Sequence, residues 1–241
     1  MKAMIFAAGL GTRLKPLTDR IPKALVPVGG RTLLDLTIDR LVAAGATEIV
    51  VNVHHFGEQI IAHLQNHSYP VPIRVSDERQ ALLDTGGGLR QAFPLFGNTD
   101  APVLIHNVDI LHNADLRAFY AASTGAAVTL MVSERQTTRY LLFDDNNRLM
   151  GWTNVQTGEV RTPHADLDLS RLRRYAFSGI HCFSPAAYPL MQAYPDKFPI
   201  MDFYLRECDK LLIKAYPVEG LRLLDVGKID SLSAAEDFLQ K

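Results

Sequence analysis

Apolar residues fall in short blocks whose spacing changes along the chain. Residues 4–8 form an apolar run that stops at Gly9, the pattern of a buried strand feeding a loop. Over 32–44, Leu33, Leu34, Leu36, Leu41 and Val42 recur at helical spacing, and Gly45 supplies a stop. Residues 48–53 are rich in β-branched side chains and predict a second buried strand. A helix is expected over 57–66, with Ile60, Ile61 and Leu64 on one face. Strands are expected at 73–76, 102–106 and 126–132, and a helix at 114–123. This alternation predicts a mostly parallel sheet with helices on both faces.

The pattern changes after Ser133. Residues 140–144, 148–152 and 174–183 look like antiparallel strands separated by turns such as Asp145-Asn146-Asn147. Helices resume near 185–193 and 202–210, 214–226 is strand-like, and 231–239 closes the chain as a helix. Residues 154–171 are polar and poorly patterned, and are expected to form a mobile loop over the site. The fold class expected is α/β: a Rossmann-like three-layer α/β/α arrangement on a mixed, mostly parallel sheet, with a small antiparallel subregion. One domain is expected over residues 1–241, a length that suits a single large α/β unit.

Composition narrows the partners. Hydrophobic residues make up 47% and charged residues 21%, ordinary for a soluble globular protein. A net charge of −1 gives no global pull toward nucleic acid or anionic membrane, so a phosphate ligand must be held by local cations. No apolar run reaches the roughly 18 residues of a membrane helix. The first 13 residues superficially suggest a secretion signal, but their apolar part is short and Arg13 and Lys15 follow at once. Cys182 and Cys208 lack metal-ligand spacing, so two free thiols in a reducing cytoplasm are expected.

The candidate chemistry starts at the first loop, Ala8-Gly9-Leu10-Gly11-Thr12-Arg13. Glycines after a strand allow positive φ and close approach, so backbone N–H groups can face a phosphate. Arg13 can add a bidentate contact, and Lys23 sits on a loop restrained by Pro22. A tight turn with a surface arginine is the alternative for that fragment alone. The loop lacks the Gly-Lys-Ser/Thr ending of a Walker loop and the third glycine of a dinucleotide fingerprint. Further on, Thr85, Gly86, Gly87 and Gly88 precede an apolar helix at 89–93, where bare backbone could meet a flat base. Asp109 and Asp225 each end an apolar run. Either alone fits a turn or cap, but two hard oxygen donors beside a triphosphate loop suit Mg²⁺. Gly179 interrupts a strand-like run, as close approach of a sugar ring requires, and Asp202 starts a helix, where capping is its other role. His54, His55, His106 and His181 fit no metal cage and read as ordinary strand-end histidines.

Residues 8–14, then Pro16-Leu17-Thr18, then Pro22-Lys23-Ala24-Leu25-Val26-Pro27-Val28 resemble the signature of the sugar-1-phosphate nucleotidyltransferases. Asp77-Glu78-Arg79 and Leu82 to Gly88 are similar to that family's base-binding segment, nearest the N-acetylmuramate-1-phosphate uridylyltransferases, with mannose-1-phosphate guanylyltransferases close by. The resemblance implies the nucleotide-diphospho-sugar transferase fold, with 1–133 binding nucleotide and 134–241 completing the sugar and metal sites. It implies that Ala8, Gly9, Leu10, Gly11 and Thr12 wrap the triphosphate, that Arg13 and Lys23 contact its phosphates, and that Thr85, Gly86 and Gly87 border the base. It places Mg²⁺ on Asp109 and Asp225, and the sugar against Asn107, Gly179 and Asp202. Departures from the family pattern are Ala24 for a second proline, Val108 for a glycine and Lys228 for a threonine.

The reaction implied is transfer of a nucleotidyl group from a nucleoside triphosphate to a sugar 1-phosphate, releasing pyrophosphate. Uridylyl transfer, to make a cell-wall or polysaccharide precursor, comes first. Guanylyl transfer to mannose or heptose 1-phosphate is the alternative, followed by phosphocholine cytidylyl transfer. A non-catalytic nucleotide-sugar sensor is the reading from another class, and the presence of all four charged residues argues against it. A monomer or small homo-oligomer is expected, with no nucleic acid and no membrane.

Overall fold

A computed structural model describes residues 1–165 and 167–240. Its centre is β1 (Lys2–Phe6), which lies parallel between β4 (Glu48–Val53) and β6 (Val103–Asn107). Between them in sequence, β2 (Pro27–Val28) and β3 (Arg31–Thr32) form a small hairpin leading into helix α1 (Leu33–Ala43). Thr32 caps α1: its hydroxyl oxygen accepts from Asp35 N–H at 3.0 Å and donates to the Asp35 carboxylate at 2.7 Å. Helix α2 (Gly57–Asn66) returns the chain to the parallel edge strand β5 (Ile73–Asp77).

Helix α3 (Asp84–Ala92) precedes β6. After it come β7 (Ile110–His112), α4 (Leu116–Ala122) and β8 (Val128–Ser133). A meander follows, with β9 (Arg139–Phe143), β10 (Leu149–Asn154), β11 (Val160–Arg161) and the long β12 (Arg173–Phe183). The chain ends through α5 (Ile200–Glu207), β13 (Ile213–Pro217), β14 (Leu223–Asp225) and α6 (Asp230–Leu239). Strand order in the ten-stranded sheet is β11-β10-β9-β12-β6-β1-β4-β5, with β8 on β12 and β13 parallel to β8. The expected antiparallel subregion is therefore continuous with the central sheet through β12.

Period-two alternation divides the core between the two faces. Ala3 and Ile5 of β1 pack toward α1 with Leu34, Ile38 and Leu41. Met4 and Phe6 face the other side with Leu89, Phe183 and Phe203. Among the described residues no helix is long and apolar enough to cross a membrane. Cys182 and Cys208 are both buried and unpaired.

Four sequence expectations change. The first strand is Lys2–Phe6, so Ala7 and Ala8 already belong to the loop. The run 214–226 is two strands in different sheets, split where Pro217 ends one and Gly220, at φ +61°, turns the chain. The expected helix at 185–193 is 3-10, with Pro189 inside it. Residues 154–171 are not one loop. Part of the segment forms the β10–β11 hairpin and part a 3-10 turn at Leu169–Arg171, while Asp166 lies outside the described residues.

Candidate functional site

The C-terminal end of β1 opens into the glycine loop. Gly9 and Leu10 are exposed. Gly11 has φ +64°, and a Cβ there would lie 2.8 Å from Thr18 Cγ2, so this position needs glycine. The Thr18 hydroxyl donates to Gly11 O at 2.8 Å and closes the loop. Leu14, fully buried, anchors the short 3-10 turn Thr12–Leu14 and leaves the neighbouring Arg13 side chain 57% exposed.

Two cations and two carboxylates meet above β6. Lys23, on the 3-10 turn Lys23–Leu25, forms an ion pair with Asp109 in which both side chains are largely buried. Arg13 Nη2 lies 3.7 Å from Asp225 Oδ2. The convergence has a backbone cause. Strand β14 pairs antiparallel with β7 so that Asp225 stands opposite Ile110, the residue after Asp109. Val226 N–H then donates to Asp109 O at 2.8 Å. Burial, and after it the nearby Asp109 charge, pushes the Asp225 carboxyl above the usual carboxylate range. Gly227 gives these groups room, since a Cβ would lie 2.5 Å from Asp225 Oδ1 and 2.7 Å from Arg13 Nη2.

The turn that carries Asp109 is held on every side. Val108 N–H donates to Phe6 O at 3.2 Å, and the buried Thr37 hydroxyl reaches Val108 O at 3.3 Å. His112 Nδ1 accepts the Ala114 N–H, so His112 Nε2–H donates to His106 Nε2 at 3.0 Å. His106 Nδ1–H then donates to Asn107 O at 2.7 Å. This chain closes only with both rings neutral. Burial secures that state by pulling His106 down to about 4 and His112 to about 2. The histidines are thus structural, and among the described residues no group of three or more His, Cys, Asp or Glu could hold a metal. Asp109 and Asp225 are a two-carboxylate donor set. That suits a hard divalent cation which takes its remaining oxygens from phosphate and water.

Helix α3 starts at Asp84, ahead of the expected 89–93, and takes in the glycine cluster. Gly86, Gly87 and Gly88 lie inside the helix and are buried. Gly86 and Gly87 N–H groups donate to Phe198 O at 2.8 and 3.3 Å. A Cβ at 86 would stand 2.3 Å from the Phe198 ring, and one at 87 would stand 2.1 Å from Asp196 O. Their bare faces therefore meet the chain's own segment 196–198. Thr85 Oγ1 accepts the Ile200 N–H at 2.9 Å and joins α3 to α5.

Gly179, at φ +77°, faces Asn107, whose Nδ2 would be 2.8 Å from a Cβ. Asp202 Oδ1 accepts from Arg161 Nη2 at 2.7 Å. Sequence reasoning missed Thr37, Arg161 and Asn52, and it gave no sign of the space Gly227 leaves or of the pairing of Glu78 with Asn52. Only Asn52 carried a visible signal, as a polar residue inside the apolar run Glu48–Val53.

Three comparisons bear on this geometry. The family model described as nucleotidyl transferase matches residues 2–148. Over 110 residues the chain is 48% identical to N-acetylmuramate alpha-1-phosphate uridylyltransferase of Caulobacter vibrioides, covering 44% of this chain and 45% of that protein. Over 113 residues it is 39% identical to mannose-1-phosphate guanyltransferase of Aspergillus fumigatus, covering 46% of this chain and 31% of that protein. The matches thus span less than half the length of these two relatives. In fold, it superposes on the structure of a putative glucose-1-phosphate thymidylyltransferase from Bacillus anthracis with a TM-score of 0.80. That match is 16% identical and covers 100% of this chain and 96% of the other.

Proposed function

The chain belongs to the nucleotidyl transferase family, and from that premise we propose that it joins a nucleoside triphosphate to a sugar 1-phosphate, with uridylyl transfer as the reaction. The observation that carries this reading is the meeting of Arg13 and Lys23 with Asp109 and Asp225 above the ends of β1 and β6.

In the reaction proposed, a phosphate oxygen of the sugar 1-phosphate attacks the α-phosphorus. The new P–O bond forms as the bond to the β-phosphate oxygen breaks, and pyrophosphate leaves with that electron pair. The attacking oxygen is already ionised, so no protein nucleophile is needed. This chain's residues position and neutralise. The backbone of residues 8–12 wraps the triphosphate and fixes its direction. Arg13, half in solvent, turns from Asp225 to the phosphate oxygens, and Lys23 turns from Asp109. Asn107 and Gly179 form the wall against which the sugar rests. Asp109 and Asp225 would hold Mg²⁺, which would supply neutralisation of the phosphate charge.

Guanylyl transfer to mannose 1-phosphate is the alternative, supported by the likeness to the fungal guanylyl enzyme. Two buried free cysteines suit the reducing cytoplasm, where we place the protein. The test uses UTP labelled at the α-phosphorus, with N-acetylmuramate 1-phosphate and Mg²⁺. Label appearing in a nucleotide-sugar supports the reading. Label that stays in UTP, with GTP and mannose 1-phosphate equally inert, sinks both transfer reactions.

A further inference from the structure

Three hydrogen bonds in series run beneath the nucleotide side of the site. Ala7, the first residue after β1, donates its N–H to Asn52 Oδ1 at 2.8 Å. Asn52 Nδ2 donates to Glu78 Oε1 at 2.7 Å. Glu78 Oε2 accepts the N–H of Leu83 at 3.3 Å. The series therefore starts at the root of the glycine loop and ends at the residue before α3.

Asn52 and Glu78 are each 2% exposed. Among the described residues no cation forms an ion pair with Glu78, and burial raises its carboxyl above the usual range. A buried carboxylate without a cation is costly, and a core repays that cost only when its hydrogen bonds do something apolar packing cannot. The surroundings are built to keep it. Glu78 N–H donates to Val53 O at 2.8 Å, and Glu78 O accepts from His54 Nδ1 at 2.7 Å and from Ala81 N–H at 3.1 Å. Gly88 leaves the space, since a Cβ there would lie 2.7 Å from Glu78 Oε1 and 2.9 Å from Asn52 Nδ2. The third glycine of the run is thus explained by this pair.

We propose that Asn52 and Glu78 are positioning residues which hold the phosphate loop and the base-side segment at one fixed separation. A bound nucleotide then meets both in a single geometry. The proposal rests on reading residues 8–13 as the triphosphate loop. The chemistry of the bridge is specific. Both ends, Ala7 N–H and Leu83 N–H, are donors, so the middle needs one amide and one carboxylate. Their order along the bridge is immaterial.

That freedom supplies the test. In Glu78→Gln every amide orientation leaves one donor facing another. In the double variant Asn52→Asp/Glu78→Gln all three bonds re-form with the polarity of the middle bond reversed. UTP, GTP, CTP and ATP, each with Mg²⁺, are titrated calorimetrically into wild type and variants, and KM is measured for nucleotide and for sugar 1-phosphate. Glu78→Gln is expected to weaken the nucleotide that wild type binds by roughly tenfold, with KM for the sugar 1-phosphate unchanged. The double variant is expected to return to wild-type affinity. Asn52→Asp alone sets two carboxylates face to face. Its deficit relative to wild type should shrink as pH falls and they share a proton, while the Glu78→Gln deficit stays flat until Glu78 itself takes a proton in wild type.

The proposal is overturned if Glu78→Gln binds nucleotide as wild type does. It is equally overturned if the double variant stays as weak as the single. Should Glu78→Gln fail to fold, the double variant decides: wild-type melting with wild-type affinity supports the bridge, and anything less overturns it. A wild type that binds none of the four nucleotides sinks the reading of the loop itself. That outcome differs from a wild type that binds nucleotide while the variants do not respond.

Discussion

Replacing Lys23 by methionine keeps most of the side chain's length and removes its charge. Lys23 and Asp109 are only 11% and 16% exposed, so Asp109 is left as a nearly buried, unpaired carboxylate. Breaking a fully buried pair costs about 3–5 kcal/mol, and the residual exposure here lowers that to about 2 kcal/mol. For a chain of this size that is roughly 4–8 °C in Tm without metal. A divalent cation reverses the balance, because it no longer has to displace the ammonium group. At a hundredfold excess over its Kd it contributes about 2.7 kcal/mol, which offsets the loss. Differential scanning fluorimetry with EDTA and with saturating Mg²⁺ reads both quantities. The Mg²⁺-induced rise should be larger in Lys23→Met than in wild type, and absent in Asp109→Asn. An Mg²⁺ response in Lys23→Met equal to or below that of wild type refutes the argument that Lys23 occupies the cation's place.

Arg13→Met should leave urea stability within about 0.5 kcal/mol, because the pair it breaks is half-exposed. The same change should lower kcat/KM by roughly 10²–10³ in steady-state assays, because the proposed reaction uses Arg13 as a donor to developing charge. Gly227→Ala pushes a methyl group into Asp225 Oδ1 and the Arg13 guanidinium. It should reduce both the Mg²⁺-induced Tm rise and turnover, and a wild-type Mg²⁺ response would remove Gly227 from the site. Acid should unfold the protein through its buried histidines. Burial draws His106 to about 4, His181 to about 3 and His112 to about 2, all below the unfolded value of about 6.5. Below that value the unfolded chain binds more protons, so stability is full above it and falls as pH drops. The loss is about 1.4 kcal/mol per pH unit for each histidine, measurable by urea titration from pH 7 to 4.5. A flat or rising profile over that range contradicts the neutral-ring assignment.

Much of this was legible in the chain because local rules applied. Strands Glu48–Val53 and helix Gly57–Asn66 follow from β-branched content and a 3.6-residue period. Asp109 and Asp225 could be picked out singly, as acids ending apolar runs. Their adjacency was expected from the resemblance, but its cause was hidden, because it depends on a register between β7 and β14, far apart in sequence. The glycines at 86–88 were visible, but their neighbour, segment 196–198, is a tertiary contact that no local pattern encodes. Glu78 stood out only as part of the base-binding resemblance, and the fold alone shows that it is buried. Asn52 was the overlooked clue, since a polar side chain in a buried strand requires a partner. The run 214–226 misled because alternation continued past Pro217 and Gly220, which were the true punctuation.

The most direct test of the central claim is a matrix of the four nucleoside triphosphates against a panel of sugar 1-phosphates, scored by pyrophosphate release with Mg²⁺. Release is expected with UTP and one sugar 1-phosphate, matched mole for mole by a nucleotide-sugar and abolished by EDTA. No release from any pair, or release that needs no sugar 1-phosphate, would contradict it.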